Sequence, residues 1–380
     1  MKTLIRSGLA AAVLAAVGLG FAAPAGAAVP HDASGPGGGS RAAFVQTDNT
    51  AGNQVVAYSR AADGALTPVG TYNTGGLGGV LAGSVVDHLA SEGSLTYDAQ
   101  NRLLYAVNAG SNTLSVFAVH GHGLTLLQVV GTNGVFPVSV AVHDGLVYVV
   151  NAGGRGSVQG FVVAFGHLYE LPGSWRSLGL DPTATPQFVN TPGQVAFSPS
   201  GSQLIVTTKA NGSDIDVFHV GYFGFLSAPV VNAEPGAVPF GVTFDPAGHL
   251  VVAEAGTDAV ATYTLGADGT VSLVDSVPTG QAATCWIAPA HGYYYASNAG
   301  SGSLSGYASS AAGQLTSVGQ TSTDGGTVDA AASVDGRYLY VQTGAAGNVD
   351  EFVVKSDGAL SELGSVTVPG AVGGEGIVAF

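Results

Sequence analysis

The stretch "LYAVNAGSNTLSVF", residues 104–117, decides the fold of this 380-residue chain. It predicts an apolar strand, a polar turn at Asn-Ala-Gly and a second strand. Close variants follow at residues 147–161, "VYVVNAGGRGSVQGF", and at residues 293–307, "YYYASNAGSGSLSGY". One hairpin that returns along a chain indicates an architecture built from copies of a single supersecondary unit.

The spacing of the copies gives the length of that unit. An aromatic residue ends the second strand of each hairpin, at Tyr58, Phe117, Phe161, Phe218, Tyr263, Tyr307 and Phe352. Four of the six intervals are 44 or 45 residues, while the intervals of 59 and 57 contain insertions at residues 73–93 and 173–193. Each unit has room for four short strands joined by Gly-containing turns, which is the pattern of a β-propeller blade.

The two ends of the repeated region predict a closed ring. The first unit begins at residue 41 with what is already a second strand, and the final residues 374–380, "GEGIVAF", are similar to a first strand with no successor. We therefore predict an all-β, seven-bladed β-propeller with four-stranded antiparallel blades over residues 41–380. The C-terminal strand is expected to close the ring in the N-terminal blade, because pairing removes the open sheet edge.

Residues 1–40 have a different character. Lys2 and Arg6 precede a short apolar run, and small residues follow it, so residues 1–27 are predicted to be a cleaved Sec-type signal peptide. Residues 28–40 are predicted to be a flexible Gly-rich lead-in. We therefore expect a secreted, extracellular protein, and no later segment is long and apolar enough to predict a membrane span.

Charge and cysteine content restrict the partners. The net charge is −15, and removal of Lys2 and Arg6 would make it −17, so nucleic acid and anionic lipid are excluded as expected partners. Cys285, the only cysteine, is expected to be a buried apolar residue in a strand. We expect a monomer that binds a small-molecule ligand or an extracellular protein partner.

Candidate site residues fall on one rim of the predicted ring. The second strands end at equivalent positions there, and Lys209 lies next to one of these ends. The catalytic candidates are Glu254 and Lys209, and the ligand-binding candidates are Asn108, Asn151, Gln194, Asn298, Glu375 and His88. Asn-Ala-Gly also makes a tight turn without any ligand, so the role of the asparagines stays open. Both insertions are expected to overhang this rim, and their glycines favour a mobile cover.

No cofactor is required by any motif. Crowded acidic groups such as Glu254 and Glu375 are compatible with Ca²⁺, because this ion prefers oxygen ligands. His120 and His122 in "HGH" lack a third ligand and are expected to lie in a solvated turn.

Several segments resemble a known family. "LYAVNAGSNTLSVF", "PFGVTFDPAGHLVVAEAG" and "RYLYVQTGAAGNVDEF" are similar to the seven-bladed lactonase-type propellers, which include 6-phosphogluconolactonase and carboxymuconate cyclase propellers. The resemblance implies a lactone hydrolase with a catalytic His, Arg and Glu. The matching positions of this chain have no His within residues 136–142, Gln194 for the Arg, and Thr208 and Lys209 near the Glu.

Two functions therefore remain open from the sequence. One is an extracellular lactonase in which Glu254 is the base, while Lys209 and an Asn amide stabilise the developing oxyanion. The other is a non-catalytic binding propeller that lacks the family's catalytic residues.

Overall fold

The computed structural model describes residues 41–380, and regular structure in this range is almost entirely β-strand. Seven antiparallel sheets with four strands each are present, and one of them has an additional short strand. In six sheets the four strands are consecutive in the chain, and in the seventh the C-terminal strand joins the first three. The predicted signal peptide and lead-in lie outside the described residues. We number the blades 1 to 7 in chain order.

The strands are given from the innermost to the outermost of each blade. Blade 1 consists of Ile377–Ala379, Ala42–Gln46, Gln54–Arg60 and Leu66–Asn73, and blade 2 consists of Leu95–Asp98, Leu103–Asn108, Thr113–His120 and Gly123–Gly131. Blade 3 consists of Pro137–His143, Leu146–Asn151, Ser157–Ala164 and His167–Glu170, with the additional strand Arg176–Ser177. Blade 4 consists of Val195–Phe197, Gln203–Thr207, Asp214–Val220 and Leu226–Ala233. Blades 5 to 7 consist of Pro239–Phe244, Leu250–Glu254, Ala259–Leu265 and Val271–Pro278; Thr284–Ala290, Tyr293–Asn298, Ser303–Ser309 and Leu315–Ser322; Thr327–Ala332, Tyr338–Thr343, Asn348–Val354 and Leu360–Thr367.

Helical structure in residues 41–380 is limited to short 3₁₀ turns. They are Ala109–Ser111, Gln187–Val189 and Tyr222–Gly224. Over the same range, no helix combines the length and apolar character that crossing a bilayer would need.

The C-terminal strand closes the ring, as the sequence predicts. Ile377–Ala379 pairs antiparallel with Val45–Ala43, so blade 1 contains both ends of the described chain. Backbone hydrogen bonds of 2.9 Å join Ala42 and Phe380 in both directions. The prediction of a seven-bladed propeller with this closure is confirmed.

Burial decreases from the inner strands of each blade to its outermost strand. Second and third strands are buried almost throughout, whereas fourth strands alternate between exposed and half-buried residues, as expected for the outer edge of a blade. Buried tyrosines on second strands also donate hydrogen bonds to a glycine carbonyl in the third turn of the next blade. The pairs are Tyr148 with Gly224 (2.7 Å), Tyr295 with Gly358 (2.8 Å) and Tyr340 with Gly64 (2.6 Å).

The first insertion enters the mouth of the central channel. We call residues 86–93 the axial segment. Ser91 donates to the carbonyl of Val138 in blade 3 at 2.8 Å, and its own carbonyl accepts from the Trp286 indole in blade 6 at 2.6 Å. The Glu92 carboxylate accepts from the Ile287 amide at 3.1 Å. The segment therefore spans the channel and contacts innermost strands from different sides of the ring.

This placement differs from the mobile cover that the glycine content predicts. Asp87, Leu89, Ser91 and Glu92 are all buried, so the axial segment is part of the protein interior. One glycine that makes this possible is Gly241 of blade 5, since a Cβ there would lie 1.9 Å from a carboxylate oxygen of Glu92. Missing side chains on the surrounding strands, as well as glycines in the insertion, create the space that the segment fills.

Candidate functional site

A cavity of about 160 Å³ lies on the predicted rim, between the two insertions and blades 4 to 6. The first insertion contributes Asp87 and Ala90, and the second contributes Phe188. The insertions also contact each other, because the Phe188 amide donates to the Ala82 carbonyl at 3.3 Å. The remaining walls are mostly apolar, including Phe240 and Trp286, whose rings pack 5.0 Å apart.

Lys209 is the cation of this cavity. Its side chain is 1% exposed, and its Nζ donates to the carbonyls of Ala90 at 2.5 Å and Phe188 at 2.7 Å. The same atom lies 5.1 Å from the centre of the Phe240 ring. Burial lowers the pKa of Lys209 to about 7, while the nearby Asp87 carboxylate acts in the opposite direction. Since Ala90, Phe188 and Phe240 all line the cavity, the amine belongs to its wall.

Asp87 is the acid of the same cavity. Its two oxygens accept hydrogen bonds from the amides of Leu89 at 2.7 Å and Ser91 at 2.8 Å. Burial raises the pKa of Asp87 to about 7, although these amides and Lys209 favour the carboxylate. Two ion pairs occur within residues 41–380, and each joins a histidine to an aspartate. Asp87 and Lys209 therefore form no direct ion pair and interact over a longer distance.

Lys209 lies near the end of its second strand, as two cavity alanines of the neighbouring blades do. Ala255 and Ala299 directly follow the ends of the second strands of blades 5 and 6, and both line the cavity. In blade 4, Thr208 follows that strand and Lys209 is one residue further, so the lysine side chain contributes to the wall that these alanine methyl groups also line. Lys209 has a φ of 55°, a left-handed conformation that is uncommon for a non-glycine residue.

Glu254 does not reach this cavity. Its carboxylate accepts from the Tyr263 hydroxyl at 2.5 Å and from the Thr257 hydroxyl at 2.9 Å, both within blade 5. The structure therefore separates the two catalytic candidates, and it brings Lys209 together with Asp87 instead. A role of Glu254 in catalysis stays a prediction, but its hydrogen bonds are those of a residue that stabilises its blade.

The predicted asparagines lie at the turns and are fully buried. Asn108 donates to Ser115 at 2.8 Å and to Thr113 at 3.1 Å, and Asn298 makes the same contacts with Ser305 and Ser303. Asn151 donates to Ser157 at 3.4 Å. These donated contacts lie within each blade and favour the turn-forming interpretation that the sequence left open. The Asn108 oxygen also accepts from Asn53 of blade 1 at 3.1 Å.

The other predicted ligand-binding residues surround the axial segment. Glu375 is buried and accepts from the Gly93 amide at 2.9 Å. Gln194 accepts from the Val242 amide at 2.5 Å, which joins blades 4 and 5. His88 packs against Gly373, and its buried Nδ1 has no hydrogen-bond partner among the described residues. These three side chains support the channel mouth and do not line the cavity.

Five buried carboxyl groups lie in and around the axial segment. They are Asp48, Asp87, Glu92, Asp329 and Glu375. Burial raises the pKa of each, to about 8 for Asp48 and to about 6 for Asp329. Within residues 41–380, no three His, Cys, Asp or Glu side chains are arranged to hold a metal ion. Glu254 and Glu375 in particular have separate partners.

The apolar wall of the cavity is not predicted by any pattern in the sequence. Phe240, Trp286 and Phe188 stand in short segments that look like ordinary strand or loop sequence. One feature of the sequence did indicate the place of the cavity, because both long intervals between repeats contain insertions on the same rim. Cys285 lies in a strand as predicted, but it is half-buried where the sequence predicts a buried residue, because it lines the cavity. Desolvation by its surroundings still raises the pKa of the thiol to about 12, which agrees with an unreactive residue.

Comparison with known proteins gives the same architecture. Residues 80–379 match the family described as "Lactonase, 7-bladed beta-propeller". No curated protein matches the chain. A crystal structure of a proposed 6-phosphogluconolactonase from Bacteroides fragilis has a TM-score of 0.72 at 18% identity, and covers 93% of this chain and 100% of its own. The periplasmic gluconolactonase of Pseudomonas aeruginosa has a TM-score of 0.70 at 20% identity, with 89% and 98% covered.

These structural similarities lie below 25% identity and therefore show the fold alone. The family match spans most of the described propeller and agrees with the blade count and the closure of the ring. The chain therefore belongs to the lactonase family of seven-bladed β-propellers.

Proposed function

We propose that this protein binds a small, uncharged lactone in the rim cavity and hydrolyses it with Lys209 and Asp87. One observation carries the proposal: an amine and a carboxyl group, both with a pKa of about 7, line one apolar cavity. Groups with a pKa near the working pH are the most effective general acids and bases. The set is a rearrangement of the one that the family resemblance implies.

The cavity favours an uncharged and mostly apolar substrate. Its volume of about 160 Å³ is comparable to an engineered apolar cavity of about 150 Å³ that binds benzene. A phosphorylated sugar lactone would need several cations and hydrogen-bond donors, whereas Lys209 is the only cationic side chain that residues 41–380 contribute to the wall. We therefore expect a single lactone ring with a short alkyl or aryl substituent.

The chemistry follows from the positions of the two groups. The unprotonated Lys209 amine accepts a proton from water, and the water oxygen attacks the lactone carbonyl carbon. The resulting ammonium faces the oxyanion and later donates its proton to the ring oxygen, which leaves as an alcohol. Asp87 stabilises the ammonium state, in line with its effect on the pKa of Lys209.

The test is hydrolysis of a lactone panel, followed by pH-stat titration, with matched variants. Lys209→Met keeps the length of the side chain and removes the amine, so kcat should fall by about 10²-fold or more, the usual contribution of general acid–base catalysis. Asp87→Asn should lower kcat less and shift the pH profile. Glu254→Gln is the control outside the cavity and should retain activity. Loss of turnover in Glu254→Gln alone would reject the proposed pair.

A non-catalytic binding function is the second candidate, and one observation favours it. The Lys209 amine and the Asp87 carboxylate both already have hydrogen-bond partners within the protein. Nζ donates to two carbonyls, and Asp87 accepts from two amides. A ligand that raises the melting temperature of the wild type without any turnover would support this alternative. An extracellular protein recovered with the propeller would identify the other kind of partner.

The site of action is also a proposal. The charged start, apolar run and small residues of the first 27 residues support export, so hydrolysis would take place outside the cytoplasm. N-terminal sequencing of protein recovered from culture medium tests this: a start near residue 28 supports it, and retention of residues 1–27 inside the cell contradicts it.

A further inference from the structure

We propose that Lys209 also captures aldehydes and ketones in the rim cavity, by forming a covalent imine between its Nζ and the carbonyl carbon. This activity uses the same cavity but does not require lactone hydrolysis. It assigns a nucleophilic role to a side chain for which the sequence predicts only stabilisation of a developing oxyanion.

The first support is the placement of the nitrogen. Nζ is fixed by two carbonyls, Ala90 on one insertion and Phe188 on the other, so it has a defined position in the wall. An unprotonated amine has two hydrogens, and both can be donated to these two carbonyls. The lone pair is then the part of the nitrogen that remains for a ligand, and the cavity is where a ligand carbonyl can reach it.

The second support is the surrounding medium. Phe240, Trp286 and the alanines of blades 5 and 6 make the wall mostly apolar, and Lys209 is buried. A desolvated lysine is the form that proteins use to make Schiff bases with carbonyl substrates. The lowered pKa of Lys209 agrees with this placement, and the groups that oppose the shift are Asp87 and Cys285.

The step is balanced without any other reactant. The nitrogen lone pair forms a bond to the carbonyl carbon, and the carbonyl π pair moves to the oxygen. The oxygen takes up the two amine hydrogens and leaves as water, while a C=N bond remains. If the imine is protonated, the Asp87 carboxylate is the nearby group that stabilises its positive charge. No oxidation or reduction takes place.

The chain offers an internal control for the test. Residues 41–380 contain two lysines, the buried Lys209 and Lys355, which is exposed in a turn of blade 7. The folded protein is incubated at pH 7 with benzaldehyde, whose ring fits a cavity of this volume, and with cyanoborohydride, which reduces an imine to a stable amine. Peptide mass mapping then measures the benzyl group on each lysine over time.

We expect Lys209 to be labelled at least about tenfold faster than Lys355, since burial favours an unprotonated amine. Ala255→Leu fills the cavity but leaves Lys209 in place, so it should suppress labelling of Lys209 and leave Lys355 unchanged. Ala299→Leu provides a second occlusion variant, and melting temperatures establish that each variant is folded.

Labelling of Lys355 as fast as Lys209 in the folded wild type would overturn the proposal. Unchanged labelling of Lys209 in both folded occlusion variants would also overturn it, because the cavity would then have no role. Labelling of Lys209 without lactone turnover would support capture while removing the hydrolase function. The two proposals can therefore fail separately.

Discussion

The blades and the axial segment use polar side chains in opposite ways. In blades 2 and 6, Asn108 and Asn298 follow the same pattern, and their amides bond to serine and threonine hydroxyls of their own blade. In the axial segment, Glu92 bonds to blade 6, and Asp87 accepts from amides within the segment. The side-chain amides of these repeated asparagines donate within their own blade, whereas the insertion carries charged groups into the interior.

The difference explains where unusual chemistry develops. In blades 2 and 6 the same turn contacts recur, and they join neutral amide and hydroxyl groups. The axial segment and its surroundings hold five carboxyl groups and one amine away from water, and burial shifts the pKa of all six. The cavity lies where these two kinds of structure meet.

The largest effect is expected from deletion of residues 371–380. This change removes the innermost strand of blade 1 and also Glu375, which accepts from the amide of Gly93 at the end of the axial segment. We expect a loss of ~5 kcal/mol or more in the free energy of unfolding, comparable to the whole stability of many domains. Urea denaturation followed by tyrosine fluorescence or circular dichroism measures it.

Phe380→Ala is the matched control for that deletion. It keeps the strand and removes only the ring that stacks on Tyr97 at a centroid distance of 4.3 Å. The control should lose much less stability than the deletion. Equal melting of the deletion and the full chain would show that the C-terminal strand does not hold the ring closed.

The next effect tests whether the axial segment is a structural part of the channel. Gly241→Ala places a Cβ 1.9 Å from a Glu92 oxygen and 2.9 Å from the Cys285 carbonyl, so the segment must shift. We expect a loss of about 1–3 kcal/mol, as for other overpacked interiors. Gly131→Ala in the outer strand of blade 2 meets no atom within 4 Å and is the control. A tolerated Gly241→Ala would mean that the segment is loosely held.

The sequence predicts the repeated part well, because each blade restates the same strand and turn pattern. Equal spacing of aromatics such as Phe117 and Phe161 gives the blade length, and the unmatched segment before Phe380 gives the closure. Both patterns can be read directly from the sequence. They recur because each blade packs against its neighbours through the same kind of contact.

The candidate site is predicted only in part, since it depends on contacts between distant segments. Lys209 is identified as an unusual residue, but its partners Ala90 and Phe188 lie 119 and 21 positions away. Glu254 looks equivalent to a site residue because it shares a repeat position, yet its Tyr263 partner holds it inside blade 5. The position of a residue within the repeat predicts the rim on which it lies, but it does not predict the direction in which its side chain extends.

A smaller effect concerns pH. Burial raises the pKa of Asp48 to about 8, of Asp87 to about 7 and of Asp329 to about 6, from ordinary values near 4. Between about pH 4 and pH 8 the folded protein therefore binds more protons than the unfolded chain, so its free energy of unfolding should fall as the pH rises from 5 to 8. Lys209, with its lowered pKa, acts in the opposite direction only above pH 7 or so. Melting temperatures across this range measure the slope.

Asp48→Asn provides the control for the pH dependence. Asp48 has a φ of 51°, which asparagine tolerates, and its oxygen accepts from the Glu375 amide at 2.8 Å, a bond that an amide oxygen can also accept. The variant should have a flatter decline in melting temperature between pH 6 and 8, where Asp48 would lose its proton. An equal slope in the variant, or a wild type that becomes more stable with rising pH, would contradict the assignment.

The smallest effect tests the contacts between blades. The buried Tyr340 hydroxyl donates to the Gly64 carbonyl at 2.6 Å and so joins blade 7 to blade 1. Tyr340→Phe keeps the ring and leaves that carbonyl without its donor, so we expect a loss of about 1 kcal/mol. Tyr293→Phe is the matched control, because its hydroxyl donates to Ser356 in an exposed position where water can replace it. Urea midpoints compare the two. If both variants lost the same stability, burial would have no part in the strength of these contacts between blades.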